Sequence, residues 1–129
     1  MSDQATVSAK TLEAKYRVRI AAGQNEVITD EPIEKGGGDT GFSPYQLLLA
    51  SLAACTAITV RMYAERKGWN VGEISVDVAM QTDKGDTKIV RKLGFSASLK
   101  SEEHERLIAV ANACPVHKIL TGKIAVATS

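Results

Sequence analysis

Apolar and polar residues alternate through Leu12, Ala14, Tyr16, Val18 and Ile20, separated by Glu13, Lys15, Arg17 and Arg19. Period two puts each set on its own face of an extended chain, so this stretch predicts a half-buried strand. Ala22-Gly23-Gln24 reads as a turn, and a second strand is expected over residues 24–29. Residues 35–41, Lys-Gly-Gly-Gly-Asp-Thr-Gly, carry no apolar side chain and predict a flexible loop, with Asp39 suited to a turn. The pattern then changes. Ser43 can cap a helix, Pro44 suits the first helical position, and Gln46 completes a capping box. The helix should run to about Lys67 and stop at Gly68. Between residues 45 and 60 its only polar side chains are Gln46, Ser51, Thr56 and Thr59. A helix apolar all round is a buried one. In so small a chain this predicts a central helix wrapped by sheet or lying in a subunit interface.

Alternation returns at Ile74, Val76, Val78 and Met80, and Asp83-Lys84-Gly85-Asp86 supplies a hairpin turn. Ile89, Leu93, Phe95, Ala97 and Leu99 form one face of the return strand, which Arg91 interrupts with a charge. Ser101-Glu102-Glu103 opens a second helix with acids in its first turn. Pro115 must break it, because proline has no backbone N–H to donate. A short helix over residues 115–120, ending at Gly122, and a last strand over residues 123–128 complete the pattern. The order ββαββα(α)β is an α+β fold. Trp69 is expected to close the core at the end of the long helix.

A chain of 129 residues, 44% of them hydrophobic, fits a single domain, residues 1–129, with a buried core. A net charge of +1 and scattered basic residues give no footprint for nucleic acid. The N-terminus has no apolar core or cleavage site of a secretory signal. The apolar stretch at residues 45–60 is short for a bilayer, so no membrane is expected. A cytoplasmic protein follows as the default. Two cysteines and two histidines at these spacings make no zinc signature, and no metal or cofactor is expected. The cytosol keeps thiols reduced, so the cysteines either fill space or do redox chemistry.

Cys55 sits mid-helix among Ala53, Ala54 and Ala57, whose small side chains leave the sulfur room to be reached. Cys114 precedes Pro115 and could cap the short helix, where unpaired amides would lower its pKa. His117, one turn on, could share a proton with a thiol or simply pack. His104, at an exposed helix start, reads as a surface residue.

Residues 36–55, GGGDTGFSPYQLLLASLAAC, resemble the loop-to-helix segment of the OsmC/Ohr-like family. Cys114-Pro115-Val116-His117-Lys118 resembles that family's second-cysteine motif, in the form some OsmC-like subgroups carry. Residues 56–69, TAITVRMYAERKGW, continue the likeness, which covers about residues 30–120. The resemblance implies a two-sheet shell wrapped around long central helices in an intertwined homodimer. It also implies a thiol peroxidase of the stress response. Cys55 would attack an organic hydroperoxide, Cys114 would resolve the sulfenic acid as a disulfide, and an external dithiol would reduce it.

The peroxidase members carry a glutamate at the position of Tyr45, ten residues before the first cysteine, where it helps hold an arginine against the thiolate. Tyr45 offers a hydroxyl instead of a charge. Arg17 and Arg19 lie in the region that would supply the arginine, although each also fits a solvated strand face. Leu47, Leu48, Leu49, Leu52 and Met62 could line an apolar substrate pocket or could be plain core. The alternative to a peroxidase is an OsmC-like protein that binds a small apolar or thiol-containing ligand in the interfacial pocket.

Overall fold

The computed structural model describes residues 5–129, which fall into two compact units, one up to Leu48 and one from Leu49 on. The mixed α+β architecture expected from the pattern is present: two small antiparallel sheets and three α-helices among the described residues.

The first unit holds a three-stranded sheet of β1 (Ser8–Thr11), β2 (Val18–Ala22) and β3 (Asn25–Thr29), in that order. The alternation at residues 12–20 is therefore not one strand. The chain reverses over residues 13–16, closed by Leu12 N donating to the Arg17 carbonyl and Arg17 N to the Ala14 carbonyl. Thr11 then pairs with Val18. Period two continued through the turn and concealed it. The glycine-rich loop is also more ordered than its composition suggests. Asp30 is buried, 2% exposed, and its carboxylate accepts from Glu31 N, Gly38 N, Thr40 N and the Thr40 hydroxyl. The Thr40 hydroxyl is the largest influence and lowers the Asp30 pKa; burial opposes it, and the three backbone amides add to it. Asp39 takes a left-handed φ of 54°, the turn role expected of it.

The long helix α1 (Pro44–Lys67) starts on the expected capping box. Ser43 N donates to Gln46 Oε1 at 2.9 Å, and Gln46 N donates to Ser43 Oγ at 3.2 Å. It ends at Gly68, whose φ of 71° a side chain would resist. In the second unit β4 (Ile74–Asp83) and β5 (Asp86–Phe95) pair in register from Ile74↔Phe95 to Asp83↔Asp86. Lys84 and Gly85 both have positive φ, the geometry of a two-residue hairpin turn. The return strand ends at Phe95 rather than Leu99, where the chain peels off into α2 (Ser101–Ala111). The short α3 (Pro115–Thr121) follows. Residues 123–128 form no strand and are exposed, with Ile124 and Val126 unburied, because no strand edge among the described residues pairs with them. The observed order is βββαββαα.

The core of the second unit joins α1 and α2: Val60 and Ala64 meet Leu107 and Ala111, with Val71 between. Trp69 packs on this cluster and stands edge-on to Tyr63, as expected of the residue closing the core. The all-round burial predicted for α1 does not occur within one chain. Its buried positions are Leu52, Thr56, Val60 and Ala64, a single stripe at four-residue spacing. On the opposite side Ile58 and Met62 are 54% and 56% exposed. The helix runs to Lys67, as expected, and at 24 residues it could by length and composition alone cross a bilayer. Val60 and Ala64 join it to the core shared with α2.

Candidate functional site

The site gathers side chains of α1, β5, the end of α2 and the start of α3, each of them from the second unit. Cys114 is the N-cap of α3. Its backbone is extended, and Pro115 follows at the first helical position, where no N–H is needed. This leaves the His117 amide to donate to Cys114 Sγ at 3.4 Å. The sulfur is fully buried. Cys55, on α1, is partly exposed and lies within hydrogen-bond reach of Cys114 Sγ. Both cysteines are free thiols.

Arg91 organises the surroundings. Its Nη1 donates to Thr56 Oγ1 at 3.0 Å and reaches Cys114 Sγ at 3.9 Å. Its Nη2 donates to Asn112 Oδ1 at 2.8 Å and lies 3.0 Å from His117 Nδ1. A guanidinium has only donors, so in this arrangement Nδ1 of His117 accepts and the ring proton sits on Nε2. The Thr56 hydroxyl has two acceptors within reach, the Leu52 carbonyl at 2.7 Å and Cys114 Sγ at 3.9 Å. The Cys55 sulfur faces the Thr59 hydroxyl at 4.0 Å.

Burial, the largest influence on Cys114, pushes its pKa up. The His117 amide, the Cys55 thiol, the Thr56 hydroxyl and the Arg91 charge together outweigh it, and the net direction is downward from the ordinary 9.0. A depressed pKa means that the folded chain holds fewer protons than the unfolded chain between the lowered value and 9.0. The stabilisation is therefore complete above 9.0 and is lost as pH falls through the folded value. Relative to Cys114→Ser, wild-type stability should rise with pH across that window. Urea midpoints measured for both proteins along a pH series check this, and a flat or falling difference would contradict it.

Beside the thiols lies an open cleft of about 350 Å³, lined by Leu52, Ile89 and Leu120 and by Arg91, Asn112 and His117, among others. Of the five residues proposed for an apolar pocket, Leu52 alone lines it; Met62 borders a different surface hollow. His117 does reach the site, but its backbone amide rather than its ring meets the sulfur. Tyr45, Arg17 and Arg19 belong to the first unit. Tyr45 is 61% exposed, with the Lys35 ammonium over its ring. Arg19 is an exposed strand residue 3.7 Å from Glu26, while the Nε of Arg17 is buried without a hydrogen-bond partner. His104 is exposed, as expected, and its ring stands edge-on to Phe95. Arg91 and Asn112 were not singled out from the sequence as site residues. The signal for Arg91 was there, as a charge on an otherwise apolar strand face. Among the described residues no cluster of His, Cys, Asp and Glu suits a metal ion.

Residues 36–129 match the family model described as OsmC-like protein. No curated protein sequence matches the chain. Among solved structures, the organic hydroperoxide resistance protein OhrB of Bacillus subtilis is 26% identical, with a TM-score of 0.63 over 93% of this chain and 92% of that one. A candidate osmotic stress induced and detoxification response protein of Psychrobacter arcticus superposes with a TM-score of 0.78 at 23% identity, covering 92% of this chain and 90% of its own. A candidate organic hydroperoxide resistance protein of Vibrio cholerae, with captopril bound in one of its active sites, gives 0.66 at 24% identity, over 95% and 88% of the two chains.

Proposed function

This chain belongs to the OsmC-like protein family, and from that membership we propose that it is a two-cysteine thiol peroxidase for organic hydroperoxides. The observation that carries the reading is the contact between a partly exposed thiol, Cys55, and a buried one, Cys114, whose acidity is raised. The Cys-Pro-Val-His-Lys sequence at residues 114–118 would be shared with a subgroup of the family.

The exposures support a division of roles. An incoming peroxide meets Cys55, because Cys114 has no accessible surface. In the reacting form of this proposal Cys114 holds the remaining proton of the pair and Cys55 is the thiolate. Its sulfur attacks the outer peroxide oxygen and the O–O bond breaks. Cys55 becomes a sulfenic acid, and the departing alkoxide takes the proton from Cys114 to leave as an alcohol. The Cys114 thiolate then attacks the Cys55 sulfur, releasing hydroxide, which leaves as water, and closing a disulfide. An external dithiol restores both thiols by attacking Cys55, the exposed sulfur. Cys114 is the leaving group, and a leaving thiol of lowered pKa departs faster.

A second reading, the binding of a small apolar or thiol-containing ligand, draws on Tyr45, which stands where the peroxidase members carry a glutamate. The cleft could hold such a ligand, much as the Vibrio cholerae neighbour holds captopril in an active site. Consumption of cumene hydroperoxide in the presence of a dithiol separates the readings. Steady consumption supports the peroxidase; binding without consumption supports the alternative.

The active form is a cytoplasmic homodimer in this proposal. Ile58 and Met62 are one helical turn apart and expose apolar surface on the same side of α1. A second copy would cover them. Ile58→Asp with Met62→Asp should convert the dimer to a monomer by light scattering at micromolar concentration. A stable wild-type monomer, or a double variant that stays dimeric, would refute this assembly.

A further inference from the structure

Arg91 is a partly buried cation with four neutral or sulfur neighbours and no carboxylate. Among the described residues the one ion pair is Arg19 with Glu26. The guanidinium is held by Thr56 from α1, Asn112 at the end of α2 and His117 from α3, so its position is fixed from three elements besides its own strand. Such a fork is rigid and permanently charged. Three neutral contacts align it without compensating it, and the group within its reach that can become an anion is the cysteine pair, at 3.9 Å through Cys114 Sγ. The other titratable group facing Arg91 is His117, whose ring accepts from it.

We propose that Arg91 is the residue that holds the negative charge of the Cys55/Cys114 pair, and that Asn112 and His117 are positioning residues that aim it. The catalytic half of this assignment rests on the peroxidase reading. It places the activating cation on the second hairpin, in the same unit as both cysteines, instead of on the N-terminal arginines Arg17 and Arg19. It also gives the fork two faces. Nη1 addresses Thr56 and the buried sulfur, while Nη2 addresses Asn112 and His117, which line the cleft with Arg91 itself. A substrate in the cleft therefore meets the same guanidinium that steadies the thiolate. Through the cycle the charge moves from thiolate to alkoxide and back to thiolate, and a fixed cation beside the pair favours each anionic state without having to reorganise.

The test is a pH titration of ultraviolet thiolate absorbance on the full chain, for the wild type, Arg91→Gln and Arg91→Lys. Glutamine keeps hydrogen-bonding capacity and removes the charge; lysine keeps the charge and loses the fork. In Arg91→Gln the thiolate midpoint should move to higher pH, and hydroperoxide turnover near neutral pH should fall by roughly tenfold or more, the scale expected for an opposite charge at this range. Arg91→Lys should recover most of the midpoint. An unmoved midpoint in a folded Arg91→Gln protein overturns the assignment. Should that variant not fold, Asn112→Ala, which releases the fork at an exposed anchor, takes its place. Its midpoint should also move upward, and an unchanged one overturns the assignment equally. The titration needs no peroxide, so the two ideas fail separately. Shifted midpoints in a protein that consumes no hydroperoxide remove the peroxidase and keep the charge assignment. Full turnover with unmoved midpoints does the reverse.

Discussion

The Cys55→Ser protein should consume cumene hydroperoxide at least about a thousandfold more slowly than the wild type, because the attacking nucleophile is gone and a serine hydroxyl at this site has no base to activate it. Nothing else in the site can replace it. Cys114 has no accessible surface, and the path to its sulfur is occupied by Arg91, Thr56 and the His117 amide. The Cys114→Ser protein should behave differently. It keeps the accessible thiol, so it should turn over once and stop with Cys55 as a sulfenic acid that no neighbouring thiol resolves. A sulfenic-acid trap added after peroxide should then label Cys55 in Cys114→Ser and leave Cys114 nearly unlabelled in Cys55→Ser. Label on Cys114 instead would reverse the two roles. It would mean that the lowered pKa of Cys114 counts for more than the exposure of Cys55. Absence of label in both proteins would leave the ligand-binding reading.

Leu107→Ala should destabilise the chain by about 2–5 kcal/mol, the usual range for a leucine removed from a packed core. Leu107 has no exposed surface and sits where α2 meets Val60, Ala64 and Val71. Small neighbours such as Ala64 and Ala111 cannot expand to refill the space, which places the loss toward a true cavity rather than a collapse. The damage should reach the site. Ala111, the last residue of α2, accepts from Cys114 N at 3.2 Å, and Asn112, which anchors Arg91, follows it directly. Hydroperoxide turnover should therefore fall by more than the folded fraction alone accounts for. Urea unfolding read alongside activity checks both halves. A cost under about 1 kcal/mol would show that the site collapses around the smaller side chain.

Much of the local architecture could be read in the sequence because its causes are local. The capping box at Ser43 and Gln46 spans three residues, and the hairpin turn at Lys84 and Gly85 spans two. Cys114 before Pro115 announced a helix cap, and the sulfur does accept the His117 amide three residues on. The motifs around both cysteines pointed to the family that the match over residues 36–129 bears out. Other expectations failed where pattern and contact diverge. Alternation through residues 12–20 is the same for one strand as for two strands and a turn, and the Leu12 and Arg17 backbone bonds chose the turn. A glycine-rich run reads as flexible until a carboxylate eight to ten residues away gathers its amides, as Asp30 does. Residues 123–128 have strand-like alternation, but alternation supplies no partner edge.

The sequence by itself determined the helix ends, the hairpin turn and the family, and it offered two thiols as candidates, because capping, turn chemistry and motif spacing act within a few residues. Only the tertiary structure decided what surrounds those thiols. Arg91 was visible as a charge on an apolar strand face, yet its partners lie 21 residues away at Asn112, 26 at His117 and 35 at Thr56. Thr56 and Cys114, now 3.9 Å apart, are separated by 58 residues. Periodicity places a side chain on a face. Which faces meet is set by packing α1, α2 and the second sheet around one core, and so the electrostatics of the cysteine pair exist only once that core has formed.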